Sequence, residues 1–298
     1  MASRWLSCRG VRLHVVAQGQ GAPVLLLHGF TGSAVTMAGV ARDLSRCHRV
    51  YRLDLVGHGR SEAPGSVACY RMPACVEQVA AALDGLGESA VAVLGYSMGA
   101  RVALSLALRH PVRVRSLLLV GASAGLEQPD ERAARIAADG MLAQRLRGEG
   151  LAAFVDQWLS QPLFASQRRL GEAFLRAARR QRLDNDAEAL ALSLEGMGAG
   201  AMPPLQGLLH RIAAPALLVA GAEDEKFCGL ARALAGSMPA ARVAVVDGAG
   251  HAAHLEQPAA FAALALEFFA RHGAGNGAGP AVPNGQSRRP GGSAVVHE

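Results

Sequence analysis

Seven short, nearly continuous apolar runs recur along this chain: Val11–Val16, Val24–His28, Val50–Asp54, Val91–Tyr96, Val114–Val120, Ala216–Gly221 and Arg242–Val246. Runs of this length, rich in Val and Leu, suit strands covered on both faces. Longer stretches of helical period separate them: Pro73–Leu86, Ser97–His110, Phe227–Met238 and Pro258–Arg271. The last opens on a proline, which suits a first helical turn where the missing N–H costs nothing. Alternation of this kind predicts an α/β fold with a mostly parallel central sheet flanked by helices. One interval breaks the rhythm. Between residues 125 and 205 only helical pattern occurs, as in Pro129–Arg147, Leu151–Trp158 and Leu170–Leu183. That predicts an all-helical cap inserted between sheet strands, with residues 1–124 and 206–272 forming the core. Residues 273–298 are dominated by Gly, Ala, Pro, Asn and Ser, and are expected to be a disordered tail.

A chain of 298 residues can bury roughly 75% of its unfolded surface, so a full core needs no covalent staples. Its five cysteines are odd in number and none are in C-x-x-C spacing, which suggests neither a disulfide framework nor a zinc site. No apolar run approaches the ~20 residues of a membrane span, and the N-terminus carries no secretion signal. A soluble cytoplasmic protein is the expectation. The formal charge of +6 raises nucleic acid as a partner, but its placement argues otherwise. Residues 101–182 hold fourteen Arg against seven Asp or Glu, spread along helical patterns without aromatic interleaving. Either a solvated basic face or a pocket for a substrate with several carboxylates accounts for that surplus, since Arg binds carboxylate bidentately.

The chemistry is announced at Gly95–Gly99, G-Y-S-M-G, where an apolar strand runs straight into a helix. This is the nucleophile-elbow pattern G-x-S-x-G in the setting it requires. The turn is sharp, so Gly95 and Gly99 must be small. Ser97 is then lifted above the sheet edge, at a helix N-terminus that favours negative charge. A base should follow. His251, in G-A-G-H-A-A-H between the last strand and the last helix, is the candidate, with His254 as the alternative. The orienting acid should end the strand Ala216–Gly221, where Glu223, Asp224 and Glu225 compete. An oxyanion hole needs two N–H donors. Met98 follows the nucleophile and supplies one. Phe30 or Thr31, in the loop after L-L-L-H-G-F-T-G begins, supplies the other. The Gly-rich stretch Asp54–Ser61, with His58, and the histidine of H-G-F, His28, read as structural or oxyanion-loop positions.

Together these motifs resemble the α/β-hydrolase superfamily over residues 9–271. The segments Q-P-L-F-A-S-Q (Gln161–Gln167), R-R-Q-R-L-D-N (Arg179–Asn185), S-L-E-G-M-G-A-G (Ser193–Gly200), E-D-E-K-F (Glu223–Phe227) and G-H-A-A-H-L-E-Q-P (Gly250–Pro258) resemble, more closely, the MenH family. Those enzymes are 2-succinyl-6-hydroxy-2,4-cyclohexadiene-1-carboxylate synthases of menaquinone and phylloquinone biosynthesis. The family spacing G-x-x-D favours Asp224 as the acid. The resemblance implies a lyase that expels pyruvate from a small tricarboxylate, 2-succinyl-5-enolpyruvyl-6-hydroxy-3-cyclohexene-1-carboxylate, with no metal or organic cofactor. It implies substrate-binding roles for Arg101, Arg135 and Arg182 and pocket-lining roles for Tyr96, Trp158 and Phe164. Two departures stand out: Ala100 replaces the second Gly of S-x-G-G-R, and Met37 lies near a position where the family often has an aromatic. Either a monomer or a homo-oligomer accommodates these features.

Overall fold

The computed structural model describes residues 1–273. Eight strands form one sheet in the order β1-β2-β4-β3-β5-β6-β7-β8. They are β1 (Ala2–Cys8), β2 (Val11–Gln18), β3 (Ala22–Leu27), β4 (His48–Leu53), β5 (Val91–Tyr96), β6 (Val114–Val120), β7 (Ala216–Gly221) and β8 (Ala241–Val246). β2 runs antiparallel to β1 and β4, and all other neighbours are parallel. All seven strands expected from apolar runs are present. The edge strand β1 is the additional one, and it lacks an apolar run because most of it is exposed.

Helices cover both faces, as continuous apolar strands require. Leu25 and Leu27 point to the side packed by α2 (Met72–Leu86), α3 (Met98–Arg109) and α7 (Glu225–Ser237). Val24 and Leu26 point the other way, toward α1 (Ala38–Leu44) and α9 (Pro258–His272). The parity of side chains along one strand thus divides the core in two. Met37 is fully buried in that second layer and borders neither cavity described below. Near the position where the family often has an aromatic, Met37 therefore lines no pocket wall here, and Val35 and Thr36 face the smaller cavity instead.

Between β6 and β7 the chain is helical, with α4 (Pro129–Ser160), a 3-10 segment over Pro162–Leu170, α5 (Gly171–Leu183) and α6 (Ala187–Met197). The two helices expected over 129–158 are both present within α4, separated by a break at Gly150, whose φ of 82° and ψ of 167° are non-helical. Ala143, Leu146, Phe154 and Val155 of α4 pack on Leu190, Ala191 and Leu194 of α6 as a separate small core. Asp186 caps α6 by accepting from the Ala189 N–H at 2.8 Å, a contact that stabilises a helix start by about 1 kcal/mol. The tail expected over 273–298 lies, beyond Gly273, outside the described residues. No helix among the described residues is long and apolar enough to cross a membrane.

Candidate active site

Ser97 sits between the end of β5 and the start of α3 at φ 51°, ψ −106°. This is a strained backbone for a residue with a side chain, and such strain persists only where surrounding structure imposes it. Two close approaches impose it here. A Cβ on Gly95 would stand 2.5 Å from the Gly99 carbonyl oxygen, and one on Gly99 would stand 2.3 Å from that of Leu27. The Ser97 N–H donates to the Val120 carbonyl at 2.8 Å, fixing the turn to β6.

His251 Nε2 lies 3.2 Å from Ser97 Oγ, and His251 Nδ1 lies 2.8 Å from Asp224 Oδ2. The other carboxylate oxygen of Asp224 caps α7, accepting from the Phe227 N–H at 3.3 Å. Glu223 points elsewhere: its carboxylate takes a 2.7 Å hydrogen bond from Arg169 at the surface. His254 is also distant from this role. It is buried with no hydrogen-bond partner on either ring nitrogen among the described residues. Burial, with the neighbouring His251, pushes its pKa down to about 3, and it packs 4.5 Å from the Tyr96 ring.

A hydrogen-bonded Ser–His–Asp chain does not by itself make an active site. Ser3, His14 and Asp54 form another, with both contacts at 2.7 Å, yet none of the three lines either of the two cavities that Ser97 borders. Its ends hold β1 and the Asp54–Ser61 turn together, which agrees with a structural role for that turn. His28 and His58 serve similarly, each hydrogen-bonded to backbone beside it.

Ser97 and His251, by contrast, stand where two cavities meet, and both residues line each one. The smaller, about 280 Å³, is bounded by Tyr96, Phe164, Gln181 and Arg182. The larger, about 510 Å³, is bounded by Arg101, Arg135, Asp139 and Lys226. Phe30 and Trp158 form the wall common to both, their rings edge to face at 5.2 Å. Phe164 closes the aromatic wall 5.9 Å from Trp158. The Phe30 and Met98 N–H groups donate to no protein group among the described residues. Two donors beside a nucleophile are what a developing oxyanion needs.

The three singled-out arginines differ in setting. Arg101 donates to the Met197 carbonyl at 2.6 Å, and burial, reinforced by Arg135, lowers its pKa to about 10. Arg135 is half-exposed and pairs with Asp139 one turn on, at 2.9 Å. Arg182 is buried, donates to the Ala178 carbonyl at 2.8 Å, and leaves its Nε without a partner among the described residues. Trp158 Nε1 is unpartnered in the same way. An unpaired buried donor is costly, so two such donors at one cavity favour a polar occupant. The rest of the central arginine surplus is largely neutralised: Arg145, Arg147, Arg176 and Arg179 pair with carboxylates of the helical segment.

Sequence reasoning missed Lys226, the chain's one lysine, and Gln181. It also missed Asn185 as a tie between segments. The Asn185 side chain accepts from the Gly59 N–H and donates to the Thr31 carbonyl, both at 3.0 Å. Among the described residues no group of three or more His, Cys, Asp or Glu could hold a metal ion.

The sequence signature of the alpha/beta hydrolase fold matches residues 22–258. A Bacillus subtilis (strain 168) protein, provisionally named 2-succinyl-6-hydroxy-2,4-cyclohexadiene-1-carboxylate synthase, is 39% identical over 87% of this chain and 95% of its own length. A Salmonella paratyphi C (strain RKS4594) protein named as the same synthase is 35% identical over 80% of this chain and 90% of its own. The solved structure of MenH from S. aureus superposes with a TM-score of 0.82 at 28% identity, covering 86% of this chain and 98% of that one. The chain therefore belongs to the α/β-hydrolase fold family and, within it, to the MenH family of 2-succinyl-6-hydroxy-2,4-cyclohexadiene-1-carboxylate synthases.

Proposed function

We propose that this protein is a lyase that eliminates pyruvate from 2-succinyl-5-enolpyruvyl-6-hydroxy-3-cyclohexene-1-carboxylate, acting in menaquinone or phylloquinone biosynthesis. One observation carries the reading beyond family membership. The Ser97–His251 pair stands at the junction of two cavities, one bounded by Arg182 and the other by Arg101 and Arg135. Cations on both sides of the reacting centre suit a substrate whose carboxylates extend from opposite sides of a ring. A simple ester needs no such arrangement.

In this reading His251 takes the Ser97 proton, and the Ser97 oxygen removes the ring proton next to the succinyl ketone. Asp224 holds His251 in the tautomer whose Nε2 is free to accept, and stabilises the imidazolium that forms. The ketone oxygen, now enolate-like, is held by the Phe30 and Met98 N–H groups. Its electrons return through the ring, the ring double bond shifts, and the C–O bond to the enolpyruvyl group breaks. Pyruvate leaves as its enolate and takes a proton, and the ring becomes the 2,4-diene. No water is consumed. General-base action of this kind contributes about 10²–10⁴-fold, and the oxyanion donors add to it. Tyr96, Trp158 and Phe164 enclose the ring.

The test is pyruvate release, followed through lactate dehydrogenase, in wild type and in Arg182→Ala and Arg101→Met. Pyruvate in amounts equal to substrate, weakened by both variants, is the expected result. Cleavage of simple esters with no pyruvate formed would favour a Ser-nucleophile hydrolase on the same scaffold.

A further inference from the structure

The 3-10 segment Pro162–Leu170 does more than wall a cavity. It rests on the loop that carries His251. A Cβ on Gly250 would stand 2.2 Å from Ser166 Oγ, so this contact requires glycine immediately before the histidine. From the same segment Arg169 reaches three places. It hydrogen-bonds Glu223, the neighbour of Asp224, at 2.7 Å and the Gly248 carbonyl at 3.2 Å, and it lies 3.8 Å from the Glu256 carboxylate. One half-exposed arginine thereby touches both the loop bearing the acid and the loop bearing the base.

Glu256 completes the arrangement. It is buried at the end of the short helix α8 (Ala253–Glu256), where its two carboxylate oxygens turn back onto the loop. One accepts from the Gly250 N–H at 2.8 Å and the other from the Ala252 N–H at 3.1 Å. These are the two residues flanking His251. A carboxylate bridging both flanking amides fixes the backbone on either side of the imidazole, and charge-assisted hydrogen bonds are the strong ones. Neither Glu256 nor Arg169 borders either cavity, so neither is placed to bind substrate.

We propose that Glu256 and Arg169 are positioning residues that clamp His251 onto Ser97 and Asp224, so that triad alignment depends on the seating of the helical segment. The inference rests on the Ser97–His251–Asp224 reading of the site. The amide clamp sets the histidine backbone, and Arg169 ties that clamp to the segment above. The Nε2–Oγ separation of 3.2 Å leaves little room, because displacements of about 1 Å at a reacting centre can lower rates a hundredfold.

Glu256→Gln is the direct test, since it keeps volume but must turn a donor toward one of the two amide N–H groups. We expect kcat for pyruvate release to fall ten- to a hundredfold with KM within twofold. The rate at which a small fluorophosphonate labels Ser97 should fall by a similar factor. Arg169→Gln should lower both rates three- to tenfold. Arg176→Gln, whose partner Glu172 lies on the same helix, should leave both unchanged. Should Glu256→Gln fail to fold, Arg169→Gln decides alone, because its side chain is 53% exposed. Labelling and kcat within twofold of wild type in the folded variants would overturn the clamp, as would losses confined to KM. The labelling ratios separate the two readings. A wild type that labels at Ser97 but releases no pyruvate defeats the lyase assignment while still deciding the clamp. A wild type that does not label defeats both.

Discussion

Replacing Asp224 with Asn should nearly abolish turnover while leaving the fold intact, and the structure supplies both halves of that statement. Asp224 Oδ2 accepts from His251 Nδ1 at 2.8 Å, which keeps Nε2 free to receive the Ser97 proton. An amide nitrogen at that position turns the imidazole to the opposite tautomer, with Nε2 carrying its own proton. Loss of the correct tautomer in a serine–histidine relay costs about 10⁴-fold, or roughly 5 kcal/mol of barrier. The structural penalty is far smaller. Asn can still accept from the Phe227 N–H at the start of α7, the contact made at 3.3 Å by Oδ1, and Asn is as good a helix cap as Asp. Glu223→Gln is the matched control. Its carboxylate is 42% exposed and meets only Arg169, a type of surface pair worth about 1 kcal/mol or less. Initial rates of pyruvate release and a thermal melt for each variant complete the comparison. A rate loss from Glu223→Gln equal to or greater than that from Asp224→Asn would refute this account of the acid.

Ser97→Ala should remove activity while the melting temperature stays within a few degrees, because the hydroxyl faces a cavity and its loss leaves no void in packed core; calorimetry and turnover together check this. Arg182→Ala and Arg101→Met should each weaken kcat/KM for the tricarboxylate about ten- to a hundredfold, the range of a lost charge-assisted hydrogen bond. Arg135→Ala should fall at the lower end, since it is half-exposed and already paired with Asp139, and a small neutral ester should register none of the three. Burial holds the pKa of His28 below its ordinary value, and those of His58 and His254 down to about 3. The unfolded chain therefore binds more protons below pH 6.5, so stability should be full above that pH and decline as pH drops toward 3. The slope should approach roughly 1.4 kcal/mol per pH unit for each histidine that stays neutral in the fold, measured by denaturant unfolding at pH 7, 6 and 5. A flat profile would mean that these histidines are charged in the folded protein.

The elbow, the base loop and the acid were legible because each is local. G-Y-S-M-G, G-A-G-H and G-A-E-D each carry their meaning within a few residues of a strand end. β1 escaped because its alternation leaves only Leu6 and Cys8 buried, and α1 because seven residues show too little period. Met37 illustrates another limit. The family resemblance set it near a position that is often aromatic, but the start of α1 turns it into the core and leaves Val35 and Thr36 at the cavity. Lys226, Asn185 and the Arg169–Glu256 clamp stayed hidden for a different reason. Their partners lie in distant segments, and no spacing rule joins positions 169 and 256, or 59 and 185. The arginines between residues 101 and 182 looked alike in sequence. Only packing separated half-buried Arg101 and buried Arg182, both beside cavities, from those paired with surface carboxylates.

The central claim is that Ser97 acts as a base in an elimination, and a rapid-quench single turnover tests it most directly. With enzyme in excess over the enolpyruvyl cyclohexene substrate, pyruvate and the ultraviolet absorbance of the conjugated diene should rise at one shared rate. Intact-mass spectra taken throughout should show Ser97 unmodified, since no acyl-enzyme forms on this path. A covalent adduct on Ser97 that appears and decays with turnover, or diene formation without pyruvate, would contradict it.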